Sequence, residues 1–330
     1  MTRDVDRGDR AGRSDRGGQS VRATTVRPTR PEDLAGCTDI WSVAIGAYVR
    51  RLNQPWFSGD MEPLRRLLAH FLRTDAERFW VAVDPAADDR VVGFGSATVR
   101  GDTWFLGMLF VLPELQGRGL GRTLLERVMP SSRGSSPAAL VMGTATDSVQ
   151  PISNALYSQY GMVPRLPVFS LVGRPERPDA LPPLPPGVRV TESVPDTRAA
   201  EAAEIAAIDV ATLGHDHPQD HAFLEAEGRR RFIARSERGI ALGYGYIAPS
   251  GRFGPIAATD PAILAPLAGQ LLAAVRAPGA YAAWIPGAAD QLFVALLRAG
   301  FRFESFPALL LWNRPFADFS RYVPINLALP

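Results

Sequence analysis

The run Gln116-Gly117-Arg118-Gly119-Leu120-Gly121 constrains this chain more than any other, because of what flanks it. Before it lies an apolar stretch, residues 104–111, broken by Pro113; after it, residues 122–129 carry apolar side chains at helical spacing. Strand, glycine-rich turn and helix N-terminus in that order build a pocket for an anion. The glycines let the backbone approach a ligand and aim several N–H groups at one point, and the helix dipole favours negative charge there. Arg118 and Arg122 add positive charge. A diphosphate suits such a pocket. The spacing departs from the dinucleotide fingerprint Gly-x-Gly-x-x-Gly, and the Gly-Lys-Ser/Thr ending of the mononucleotide loop is absent.

The loop resembles the pattern Gln/Arg-x-x-Gly-x-Gly/Ala, the acyl-CoA pyrophosphate loop of the GNAT superfamily of N-acetyltransferases. A second element supports the likeness. Asn154-Ala155-Leu156-Tyr157-Ser158-Gln159-Tyr160-Gly161-Met162 resembles that family's Asn-x-x-Leu-Tyr-x-x-x-Gly-Phe segment, with Met162 in place of the final aromatic residue. The resemblance spans roughly residues 22–173.

Length fits about two domains: the chain has 330 residues, more than one hydrophobic core usually holds. The first 20 residues mix Arg, Asp and Gly and read as a solvated, disordered tail rather than a secretory signal. Residues 21–173 read as the acetyl-CoA-binding domain, 174–187 as a proline-rich, semi-rigid linker, and 188–330 as a second copy of the same plan. Val188-Arg189-Val190-Thr191 echoes Val21-Arg22-Ala23-Thr24, and Gly300-Phe301-Arg302-Phe303 echoes Gly161-Met162-Val163-Pro164. The expected fold is α/β, or α+β layered: two tandem GNAT-like domains, each a mixed central sheet with helices on both faces. The second copy reads as degenerate. Laid over the first helix, Ile263 falls opposite Gln116, Pro266 opposite Gly119, Ala268 opposite Gly121 and Leu296 opposite Tyr157.

Net charge is +2, with arginine the sole long-chain cation, and no basic stripe interleaved with aromatics points to nucleic acid. No apolar run reaches membrane-spanning length, and the single cysteine, Cys37, fits a reducing compartment, so a cytoplasmic protein is expected. Cys37 falls on an apolar helical face and reads as core.

The resemblance implies acetyl-CoA as co-substrate and a small-molecule amine as acceptor, attacked directly in a ternary complex. Backbone groups of Leu109, Phe110 and Val111 would contact the pantetheine arm, and Gln116, Gly117, Arg118, Gly119, Leu120, Gly121, Arg122 and Thr123 would hold the pyrophosphate. Tyr157 matches the family's general acid; a phenol is protonated at neutral pH and can donate to a leaving thiolate. Its bland alternative is packing. Tyr160 reads as core beside Gly161, or as part of the cofactor wall. Asn154 caps its helix or bonds the pantetheine amide. Resembling enzymes place a Glu or His on the central strand, where this chain has Phe105, Leu106 and Gly107. Asp147 is the nearest carboxylate to serve as base; its alternative is a turn residue.

His215, His217 and His221 form the densest polar cluster of the second half. His217 and His221 could share a helical face as a zinc pair does, but Pro218 reads as a helix start. A substrate-lining or interdomain cluster is the expectation, with no metal. Phe79, Trp80, Trp104 and Phe105 read mostly as core, and Trp56-Phe57 as a substrate-side loop. Two other readings stay open: a non-catalytic acyl-CoA-binding regulatory module, or a tandem enzyme with catalysis in the C-terminal domain. The sequence leaves the oligomeric state open.

Overall fold

Near-continuous apolar runs at 79–84, 90–100 and 103–111 form three antiparallel strands whose two faces are both buried. The computed structural model describes residues 24–54, 59–130 and 140–330; the expected tail, the start of the first strand and Trp56-Phe57 lie outside them. In chain order the first half comprises β1 (Thr25–Pro28), α1 (Leu34–Arg51), α2 (Glu62–Thr74), β2 (Phe79–Asp84), β3 (Arg90–Arg100) and β4 (Thr103–Val111). It continues with α3 (Leu120–Val128), β5 (Val141–Asp147), α4 (Pro151–Gln159) and β6 (Val163–Gly173). Helices cover both faces. On one, Trp41 of α1 meets Phe110, whose ring stacks on Phe94; on the other, a Cβ at Gly93 or Gly95 would touch Leu124 of α3. Cys37, Phe79, Trp104 and Phe105 are all buried.

The second half repeats that order: β7 (Arg189–Ser193), α5 (Pro195–Leu213), α6 (Pro218–Ala226), β8 (Arg230–Arg235), β9 (Ala241–Ile247) and β10 (Phe253–Ala258). Then come α7 (Leu264–Ala274), β11 (Tyr281–Pro286), α8 (Asp290–Ala299), β12 (Arg302–Phe303), β13 (Ala308–Trp312) and β14 (Tyr322–Val323). The chain is thus a mixed α/β fold of two like units with sheets flanked by helices.

The halves exchange strands. Among the described residues, one sheet has nine strands, β1-β2-β3-β4-β5-β13-β6-β11 with β12 also on β6, and the other runs β14-β10-β9-β8-β7. β13, from the far end of the chain, inserts between β5 and β6 and pairs antiparallel with both. In return β6 runs on: residues 163–168 pair with β13, and residues 168–173 pair with β11. β6 therefore does not close the first half alone; each half borrows a central strand from the other. The bonds are deep ones. Val168, Leu171, Leu310 and Leu311 are all at most 1% exposed.

The proline-rich connection is packed rather than suspended. Arg177 N–H donates to the Ala299 carbonyl, Arg174 donates to the Pro278 carbonyl, and Leu181 lies over Gly269 of α7. No helix of the described residues is long and apolar enough to cross a membrane.

Candidate active site

β4 and β5 run parallel for four residues only, from Thr103 opposite Val141 to Leu106 opposite Thr144. The Thr144 hydroxyl donates to the Leu106 carbonyl at 3.0 Å, and there the ladder stops. Beyond it, residues 145–147 of β5 pair with β13, while β4 keeps only β3. The register of β4 on β3 slips at Gly107, so the strand bends away at that residue. A wedge opens between the two strands. Leu112 N–H donates to Val92 across the β3 side, so by strand alternation the peptide edges of Leu109 and Val111 face the wedge and that of Phe110 faces β3. The Gln116 side chain donates to the Val111 carbonyl at 2.9 Å and ties the loop to the wedge. Gly107 is needed for a close approach: a Cβ there would sit 2.7 Å from the Ala328 carbonyl oxygen, so the segment after β14 walls this end of the wedge.

The loop at the wide end carries out what its glycines suggest. Gly117 and Gly119 have φ of 76° and 86°, a region that costs other residues strain, and a Cβ at either would meet nothing within 4 Å. Among the described residues, none of the N–H groups from Gly117 to Arg122 is hydrogen-bonded to an acceptor. They open onto solvent at the positive end of α3. Arg118 is exposed beside them. Arg122 is already engaged: it donates to Gln159 at 2.6 Å and to the Tyr160 hydroxyl at 3.3 Å. Tyr160 in turn donates to Glu126 at 2.7 Å. Tyr160 is thus not core; it is half-buried and fastens α4 to α3 beside the loop. The Thr123 hydroxyl is turned back onto the Gly119 carbonyl.

Tyr157 lies on α4, packed among Trp104, Leu106, Leu125, Met162 and Leu311. Its hydroxyl has no hydrogen-bond partner among the described residues, and burial pushes its pKa above the usual phenol value. Asn154 does not cap its helix, because Gln150 holds that position. Its amide nitrogen instead donates to the Asp147 and Gln150 carbonyls, leaving the buried Oδ1 without a donor. Asp147, at the end of β5, accepts from Val149 N–H at 3.0 Å, the turn-residue geometry. Near it is the Tyr48 hydroxyl of α1, a neighbour that sequence alone did not reveal. Burial first, then the Asp147 charge, raises the Tyr48 pKa.

The second half lacks each of these openings. β14 pairs antiparallel with β10, Ile256 opposite Val323 and Ala257 opposite Tyr322, on the edge that β4 leaves open. The start of β10 still bridges β11 in parallel, Arg252 to Ala282, as the start of β4 does β5. The glycine loop is missing altogether: a helical turn at Pro261–Ile263 runs straight into α7, whereas four residues separate Leu115 from α3. Pro266 is therefore inside α7 and not opposite Gly119. Asp260 puts its own carboxylate on the N–H of Ala262, which repels an incoming anion. Leu296, at the Tyr157 position, is buried.

The histidines of the second half meet the first half in a buried polar layer. His217 is the residue preceding α6, as Pro218 suggests, and His221 lies one turn on. Asp209 of α5 accepts from His221 Nε2 at 2.8 Å and from the Tyr244 hydroxyl. Asp220 bonds His70 of α2 at 2.7 Å and receives two bonds from Arg100 of β3, at 2.7 and 2.8 Å. Arg100 also reaches Asp75 at 3.0 Å. Burial alone would raise the Asp209 carboxyl, but His217 and His221 beside it prevail and bring it to about 2. Burial likewise opposes ionisation of Asp220, and Arg100, His217 and His70 hold it well below the carboxylate range. A cavity of about 20 Å³ lies against this layer, lined by Thr98, Arg100, His215, His217, Asp220 and Leu329 among others. His70 and Asp209 were legible only as polar residues on otherwise apolar helix faces. Truncating one partner of a buried pair leaves the other charge stranded. Arg100→Ala is accordingly expected to cost about 3–5 kcal/mol in urea unfolding, far more than loss of an exposed arginine.

Comparison with known proteins agrees with this geometry. The model of the acetyltransferase (GNAT) family matches residues 46–162, which span the wedge, the loop and Tyr157. No curated protein matches the sequence. A candidate acetyltransferase from Pyrococcus horikoshii superposes with a TM-score of 0.70 at 16% identity, covering 98% of this chain and 100% of its own. A GCN5-related N-acetyltransferase from Sphaerobacter thermophilus gives 0.62 at 16% identity, over 90% of this chain and 98% of its own. A tandem GNAT protein from the clavulanic acid biosynthesis pathway gives 0.54 at 16% identity, over 89% of this chain and 99% of its own.

Proposed function

We propose that the chain, whose residues 46–162 match the acetyltransferase (GNAT) family model, is an acetyl-CoA-dependent N-acetyltransferase acting from its first half. The acceptor is the amine of a small molecule. One observation carries the reading: the wedge between β4 and β5 opens onto a fan of unengaged N–H groups at 117–122. The counterpart in the second half is filled by β14 and capped by Asp260.

The pantetheine arm would lie in the wedge as an added strand, bonding the Leu109 and Val111 peptide groups. The Asn154 Oδ1, buried without a donor, suits an amide N–H of that arm. The pyrophosphate would sit on the loop N–H groups beside Arg118, with Arg122 and Tyr160 bracing α3 from behind. N–H groups of β4 at the bend polarise the thioester carbonyl. The neutral amine attacks that carbon, and the tetrahedral adduct collapses with loss of the CoA thiolate. Tyr157 donates its proton to the sulfur; a phenol with a raised pKa is fully protonated at neutral pH. Asp147 would take the amine proton, directly or through water. Cys37 is fully buried and its thiol pKa is raised by burial, so it does not carry an acyl group.

The assay is thiol release from acetyl-CoA across a panel of primary amines. Turnover with at least one amine, absent in Gly119→Pro, is expected. Acetyl-CoA binding with no thiol release from any amine would instead favour a regulatory acyl-CoA-binding module.

A further inference from the structure

The buried polar layer contains an arrangement that hydrogen bonding alone leaves incomplete. Asp209, His217 and His221 each offer a donor atom, and these three lie within 4.8 Å of one another. His217 Nε2 is 3.5 Å from Asp209 Oδ1, and His221 Nε2 is 2.8 Å from Asp209 Oδ2. Donors around one tetrahedral zinc, with bonds near 2.0–2.1 Å, stand about 3.3 Å apart. The two histidine–carboxylate separations lie within about 0.5 Å of that spacing, and the remaining donors stand no more than 4.8 Å apart. His217 is 2% exposed, yet its Nε2 has no hydrogen-bond partner among the described residues. A buried polar atom aimed at a carboxylate and an imidazole without bonding either asks for a further group.

The outer contacts are those that orient metal ligands. His217 Nδ1 lies 3.4 Å from the Asp220 carboxylate, and His221 Nδ1 is 2.9 Å from the Tyr246 hydroxyl. Both rings are thereby held with Nε2 inward. The Tyr244 hydroxyl donates to Asp209 Oδ1, while Oδ2 meets His221 Nε2, the contact that a cation would bridge. Charge points the same way. Arg100 is shared between Asp75 and Asp220, and Arg231 between Glu201 and Glu225, while Asp209 has no guanidinium partner among the described residues. The cavity beside His217 has room for one water.

We propose that Asp209, His217 and His221 bind a divalent transition metal, with zinc the best fit to two imidazoles and one carboxylate. Its role is structural. The ion would join α5 to α6, and Asp220 passes the restraint to Arg100 and His70 of the first half.

The test uses the intact protein, purified without a histidine tag, and needs no activity measurement. Elemental analysis is expected to give about one zinc per chain, falling to background in His217→Gln and in His221→Gln. Chelator-treated wild type should regain several degrees of melting temperature with zinc, and with cobalt(II) should develop the visible bands of a tetrahedral site. Metal retained undiminished in both variants would overturn the proposal. So would a wild type that purifies without metal, shows no cobalt bands and melts alike with and without zinc. The wild-type arm decides the matter even where a variant fails to fold.

Discussion

Expressed separately, residues 1–173 and 174–330 are each expected to be insoluble or to lack a cooperative unfolding transition, whereas co-expression should restore one folded complex. The reason is the exchange of β6 and β13. Without the second half, β5 and residues 163–168 lose the strand between them, and Leu310 and Leu311, nearly fully buried, go with it. Burying one such leucine contributes about 1.5–3 kcal/mol, and stability of a whole domain is about 5–15 kcal/mol. Open sheet edges add an aggregation hazard. Without the first half, β11 and β12 lose residues 168–173 in the same way. Circular dichroism melts and size-exclusion chromatography of the fragments check this. A soluble 1–173 fragment that melts cooperatively would show that the borrowed strand is dispensable.

Replacing Tyr157 with Phe should lower kcat about 10²–10⁴-fold while leaving the acetyl-CoA dissociation constant within about twofold. The hydroxyl has no hydrogen-bond partner among the described residues and the ring stays in its packed site, so stability should hardly change. Those features make the variant a clean probe. Steady-state thiol release gives kcat, calorimetry gives the affinity, and a thermal melt checks the fold. An unaltered kcat would mean that Tyr157 only packs, and the proton would have to come from elsewhere.

The loop was readable from sequence for a physical reason. Gly117 and Gly119 occupy left-handed backbone, and a glycine run between strand and helix has few other uses. The repeated element order was readable too, through apolar periodicity that local chain chemistry imposes. What closes the sheet was not. A strand such as β13 announces an apolar run but not its partner, because pairing across about 140–170 residues is decided by which edge is left open. β14 is two residues long, too short to leave a pattern, yet it fills the edge of β10. The missing loop in the second half was read as substitution by proline; a deletion of four residues shifts the alignment and gives the same impression. Tyr160 was misplaced because its neighbours Arg122 and Glu126 belong to another helix. The buried layer follows the same logic. Asp220 looks like a surface charge until α2 and β3 bring His70 and Arg100 against it.

The central claim is that one cofactor site exists and that it is the loop at 116–123. Calorimetric titration of the intact chain with acetyl-CoA tests this most directly, alongside Gly119→Pro and Asp260→Gly. One equivalent bound by wild type and by Asp260→Gly, and none by Gly119→Pro, is the predicted result. Two equivalents, or one that survives in Gly119→Pro, would place the cofactor in the second half and contradict the account.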